Sequence, residues 1–107
     1  MIPLEPNQSL EEIQRYVAKM ETERGFGGQP VVEQCLKLGE EVGEVFKAVR
    51  KQTKMRLDPN SAVGEVGEEL ADVLIYLCAI ANRLDIDLAD ALRSKEAINE
   101  TRTWVSA

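Results

Sequence analysis

The sequence predicts an all-α fold of four helices joined by short loops. Three observations carry this. Apolar residues recur at steps of three and four in four separate stretches, the spacing of one face of an α-helix. No stretch shows the strict apolar–polar alternation of a half-buried strand. Caps and breakers fall between the stretches, at Gly25 to Pro30, at Asp58 to Ser61 and at Asp87.

The first helix is predicted over Ser9–Arg24. Pro3 and Pro6 keep the preceding residues irregular, and Ser9 with Glu12 forms a capping box. Leu10, Ile13, Val17 and Met20 make its apolar stripe, and Gly25 suits the left-handed position that ends it. The second helix runs from Pro30 to about Lys54, with Cys35, Leu38, Val42, Val45 and Val49 as its stripe. Gly39 and Gly43 cost ~1 kcal/mol each relative to alanine; spaced i, i+4, they let another backbone approach. The third helix is predicted over Ser61–Leu84, striped by Val63, Val66, Leu70, Val73, Leu77, Ile80 and Leu84. Its second half is apolar nearly all round, so part of it is expected to meet another subunit. Asp87 caps a fourth helix reaching about Trp104, with Leu88, Ala91, Leu92 and Ile98 facing inward.

With 107 residues and no interdomain linker, residues 1–107 read as a single domain. Apolar residues make up 44%, enough for a core despite 30% charge. The net charge of −6 and the lack of a long Lys/Arg run argue against a nucleic-acid polymer as partner. No stretch approaches the ~18 apolar residues of a membrane span. The first residues lack the charged and apolar regions of a signal peptide, so a cytoplasmic location is expected. Cys35 and Cys78 read as buried small apolar residues. The absence of histidine removes the commonest general base and most zinc constellations.

The chemistry concentrates in two short runs, KLGEEVGE at Lys37–Glu44 and GEELAD at Gly67–Asp72. Glu41 and Glu44 lie one helical turn apart, as do Glu69 and Asp72. Each pair borders the apolar stripe of its helix. In an antiparallel hairpin of the second and third helices the pairs come level within ~3 Å, at 1.5 Å rise per residue. One ExxE is ordinary on a solvated helix; two level pairs are not. Glu40–Glu44, Glu65–Glu69 and Glu68–Asp72 are like-charge i, i+4 pairs, each unfavourable by ~0.2–0.5 kcal/mol. Carboxylates clustered at such a cost, without histidine or thiolate, suit a hard cation, Mg²⁺ with Mn²⁺ as a substitute. On the fourth helix Lys95, Asn99 and Arg102 step four and three along the face of Leu88, Leu92 and Ile98. Cations on an inward face are rare unless paired with something anionic: they either snorkel at the bundle end or pair with the acids of the neighbouring helices, or they clamp a bound phosphate.

KLGEEVGE, followed by ELAD, DVLIYLCAIANRL and KEAINETRTW, resembles the EExxE…ExxD pattern of the MazG-like nucleoside triphosphate pyrophosphohydrolases, over roughly Leu10–Trp104. The resemblance implies an oligomeric, dimeric or tetrameric, MazG-like four-helix bundle. It implies Mg²⁺-dependent cleavage of an NTP or dNTP to the nucleoside monophosphate and pyrophosphate, with housecleaning of non-standard nucleotides as one role. Glu41, Glu44, Glu69 and Asp72 match the family's metal ligands, and Glu40 its additional acid. Glu40 or Glu41 would orient or deprotonate water, and Lys95, Asn99 and Arg102 would contact the substrate. The base is expected near the first helix, Phe26 and the start of the second, where the family often carries tryptophan in place of Phe26. Two alternatives remain at this stage: a phosphoribosyl-nucleotide pyrophosphohydrolase of the same superfamily, and a non-catalytic helical oligomerisation or nucleotide-sensing module.

Overall fold

A computed structural model describes residues 2–103. Four helices follow one another: α1 (Leu10–Arg24), α2 (Val31–Gln52), α3 (Val66–Arg83) and α4 (Leu88–Asn99). There is no strand among the described residues. Local chemistry sets most of the boundaries. Ser9 accepts from the Glu12 N–H while the Glu12 carboxylate accepts from the Ser9 N–H, each at 3.0 Å, so two N-terminal donors are satisfied at once. Gly25 ends α1 in the left-handed region, at φ 81°. Lys54, at φ 61°, closes α2. The Asp87 side chain caps α4 by accepting from the Asp90 N–H at 3.0 Å.

Two expected boundaries move. The third helix begins at Val66, not at Ser61. Residues 58–61 form a turn, with the Asp58 carboxylate accepting from the Asn60 N–H and the Asp58 carbonyl from the Ser61 N–H. Glu65 is extended, at φ −85° and ψ 146°. Apolar Val63 continues the helical period into this stretch, but Gly64 carries a helix cost and the stretch lies against the Glu69 side chain instead. The fourth helix ends at Asn99, and Thr101 and Arg102 follow in tight turns onto the Ile98 and Asn99 carbonyls. Its predicted end at Trp104 lies outside the described residues.

α2 and α3 form an antiparallel hairpin. Lys51 reaches Glu65 at 3.2 Å near its closed end, and the Arg83 guanidinium reaches the Gln29 carbonyl at 2.7 Å near its open end. α1 packs across α3, and α4 rests on α1. The core is Val17 and Met20 of α1 against Cys78 and Ala79 of α3, with Ile13, Tyr16, Ile75 and Leu88 around it.

Several residues expected inside face out. Cys35, Val49, Leu70, Leu77, Leu84, Leu92 and Ile98 are exposed within the chain. α2 instead buries Gln34 and Ala48. Four short helices in this arrangement have too few neighbours to cover every apolar face. The radius of gyration, 16.6 Å, exceeds the ~13 Å of a compact 100-residue domain. Leu70, Leu74 and Leu77 on α3, with Leu36 and Phe46 on α2, leave the hairpin's outer surface apolar.

Candidate active site

The antiparallel register brings the two acidic runs together. Glu41 of α2 and Glu69 and Asp72 of α3 each offer a carboxylate oxygen, all within 4.8 Å of one another and all half-buried. The cleft around them, about 570 Å³, is also lined by Glu40, Glu44 and the 62–64 segment. Glu44 lies on the same cleft but outside the three-carboxylate cluster, with Lys47 at 3.7 Å. Glu40 stands at the exposed rim. Partial burial, then the charges of Asp72 and Glu69, push the Glu41 carboxyl above the usual carboxylate range, and a hydrogen bond with Glu69 acts in the same direction. Tyr76, one turn beyond Asp72, is pushed up by burial and then by Glu41 and Asp72.

The donor set fits a hard divalent cation. All three ligating atoms are carboxylate oxygens, which is the chemistry Mg²⁺ or Mn²⁺ takes. Oxygens on opposite sides of a Mg²⁺ ion stand ~4.2 Å apart at the ~2.1 Å bond length. Neighbouring oxygens on such an ion stand only ~3.0 Å apart at that bond length, so the three carboxylates would draw closer together around one ion. The Glu41 carboxyl is raised first by burial and then by the like charges of Asp72 and Glu69, and a cation would relieve the second of these.

A second cleft adjoins the first through Asp72, which lines both. Its walls include Met20, Phe26 and Ile75 on the apolar side and Gln29, Gln34 and Lys37 on the polar side. Gln34 is 2% exposed. The Gln29 side-chain oxygen accepts from Gln34 at 2.8 Å and from Lys37 at 3.2 Å. Sequence reasoning missed this set, because Gln34 lies off the apolar stripe and nothing local marks it as buried.

Lys95, Asn99 and Arg102 are not gathered into the acidic cleft of their own chain. Lys95 and Arg102 are exposed on and just beyond α4, and a separate hollow is lined by Glu96, Asn99, Glu100 and Arg102. Asn99 donates to Glu96 at 2.9 Å, and its side-chain oxygen is buried with no hydrogen-bond partner among the described residues. Gly64 and the Glu21–Arg83 pair were missed as well. A glycine inside an apolar period was the one signal for the first, and a pair 62 residues apart leaves no sequence signal.

Comparison with known proteins agrees with this arrangement. Residues 29–102 match the model of the MazG nucleotide pyrophosphohydrolase domain. A dATP/dGTP diphosphohydrolase of cyanophage S-2L is 31% identical over 96 residues, covering 90% of this chain and 74% of that protein. Human dCTP pyrophosphatase 1 is 37% identical over 103 residues, covering 91% of this chain and 60% of that protein. The crystal structure of iMazG from Vibrio DAT 722 superposes with a TM-score of 0.69 at 31% identity, covering 88% of this chain and all of that one. The chain belongs to the MazG nucleotide pyrophosphohydrolase family.

Proposed function

We infer that this chain is a nucleoside triphosphate pyrophosphohydrolase that converts a (d)NTP to the monophosphate and pyrophosphate with a divalent cation, Mg²⁺ by preference. The observation that carries the reading is the convergence of Glu41, Glu69 and Asp72 within a family match that spans the hairpin. The relatives' names specify deoxynucleoside triphosphates, which supports that substrate class here. Two free cysteines accord with a cytoplasmic location.

Glu41, Glu69 and Asp72 would hold the cation, with Glu44 completing the set from the same cleft. When bound, the ion offsets charge on the phosphates and lowers the pKa of coordinated water. Glu40, at the rim and outside the cluster, is the carboxylate left to orient the water and take its proton. Tyr76 lines the adjoining cleft beside Asp72. The adjoining cleft is where the base would lie, with apolar walls for its faces and the Gln29, Gln34 and Lys37 groups for its polar edge.

Lys95, Asn99 and Arg102 are proposed as phosphate ligands. They lie away from their own chain's acids, so a second copy would bring them to the cleft. The exposed Leu36, Phe46, Leu70, Leu74 and Leu77 support a homo-oligomer. The test incubates the protein with dNTPs and NTPs plus Mg²⁺ and separates the products, with sedimentation of the same preparation. Monophosphate, pyrophosphate and a dimer or larger are expected. Diphosphate and orthophosphate would refute the bond assignment, and an active monomer would remove the α4 residues from the site.

Gly64 offers a test of metal geometry that spares every carboxylate. A methyl group there would overlap the Glu69 carboxylate. Gly64→Ala is expected to raise the Mg²⁺ concentration for half-maximal activity by ~10-fold or more, as loss of a metal ligand's support does. Far-UV circular dichroism should be unchanged. An unaltered Mg²⁺ titration would show that Glu69 does not need its present position to bind the ion.

A further inference from the structure

We propose that Arg83 and Glu21 are positioning residues for nucleotide selection, holding the α1–α2 loop as one wall of the cleft beside Asp72. This rests on the reading that the base occupies that cleft. Arg83 makes five hydrogen bonds from the end of α3. Its Nε donates to the Gln29 carbonyl at 2.7 Å, one Nη to the Phe26 carbonyl at 3.0 Å, and the other Nη to the Ala79 carbonyl at 2.9 Å. The two Nη also meet the Glu21 carboxylate oxygens at 3.0 and 2.6 Å. The pair is nearly out of solvent, with side chains 12% and 8% exposed.

The two loop carbonyls held by Arg83 belong to Phe26 and Gln29, whose side chains line the cleft. Gln29 in turn orients Gln34 and Lys37. Between the ends of α1 and α2 lie Gly25, Gly27 and Gly28, so the loop has little intrinsic preference for one shape. Arg83 supplies that preference from outside the cleft, which it does not line, whereas Glu21, the carboxylate that holds its guanidinium, stands in the cleft wall. A lysine cannot substitute. One ammonium group lacks the planar fork that meets two loop carbonyls and both carboxylate oxygens together.

The experiment compares wild type with Arg83→Lys, which keeps a charge opposite Glu21, and with Glu21→Gln/Arg83→Met, which buries no charge. Circular dichroism reports the fold. The readouts are kcat and KM across the four dNTPs, binding of the four dNMPs, and binding of inorganic pyrophosphate, which has no base. For folded Arg83→Lys, KM for the preferred dNTP should rise ~10-fold or more, since small misplacements of binding groups cost up to ~10²-fold. Discrimination between bases should fall in step, with kcat and pyrophosphate affinity little changed. A folded variant with unchanged base ratios would overturn the proposal. Equal losses for pyrophosphate and every nucleotide, or failure of both variants to fold, would assign the pair to stability alone and overturn it too. A wild type that binds dNMPs with base preference but releases no pyrophosphate would refute the activity, and the dNMP ratios would still decide the clamp. A wild type that binds no nucleotide would overturn both.

Discussion

Glu41→Gln is expected to lower pyrophosphate release by at least ~10²-fold while leaving helical content intact. Removing an outer partner of a metal ligand already costs ~10–100-fold, and Glu41 is one of three carboxylates in the cluster. The same variant carries an opposite effect on stability. Burial, then Asp72 and Glu69, raise the Glu41 carboxyl above the usual carboxylate range. The metal-free folded state therefore holds this proton more tightly than the unfolded chain does. Stability from this group is present at low pH and is lost as pH rises through the folded value. In chelator at neutral pH, Glu41→Gln should melt above wild type, and the difference should shrink as pH falls toward the ordinary carboxylate range. Added Mg²⁺ should reverse the order, because only the wild type retains the full ligand set. Thermal melts with and without Mg²⁺ across pH check both signs. A variant that is active, or that melts below wild type in chelator at neutral pH, would remove Glu41 from the crowded centre.

The largest loss of stability is expected at Arg83. Arg83→Met strands the Glu21 carboxylate, which has no other hydrogen-bond donor among the described residues. Breaking a buried pair from one side costs ~3–5 kcal/mol. In a chain of this size that lowers the melting temperature by roughly 15 °C or more. Glu21→Gln should cost less, because Arg83 keeps its carbonyl acceptors on Phe26, Gln29 and Ala79. Glu21→Gln/Arg83→Met should recover much of the single-variant loss, since no charge is then left unpaired. Urea unfolding of the three variants reads this cycle. A loss below ~1 kcal/mol for Arg83→Met, the scale of an exposed ion pair, would show that the pair is effectively solvated.

Where the structure departs from sequence expectation, the departures have a common cause. The caps at Ser9, Gly25 and Asp87 act over three or four residues, and their geometry appears as read. The apolar period likewise identified all four helices. The same period overran the start of α3, since Val63 fits the stripe while the chain there turns and packs against Glu69. It also assigned Cys35, Leu92 and Ile98 to an interior that this chain does not close around them. Periodicity reports which face is apolar and is silent on what covers that face.

The acidic centre divides in the same way. The i, i+3 spacing placed Glu41 with Glu44 and Glu69 with Asp72, and the hairpin argument placed the pairs level. Selecting Glu41, Glu69 and Asp72 as the tight cluster, with Glu44 and Glu40 at its margin, required side-chain distances across two helices. The sequence by itself determined the helix count, most caps and the pairing of acidic runs, because each depends on residues within one or two turns. Only the tertiary structure decided that α4 rests on α1 away from the acids, that Arg83 holds the α1–α2 loop, and that Gly64 backs Glu69. The physical reason is that helix packing and the hydrogen bonds of a long flexible side chain are settled by three-dimensional neighbours, which no local spacing encodes.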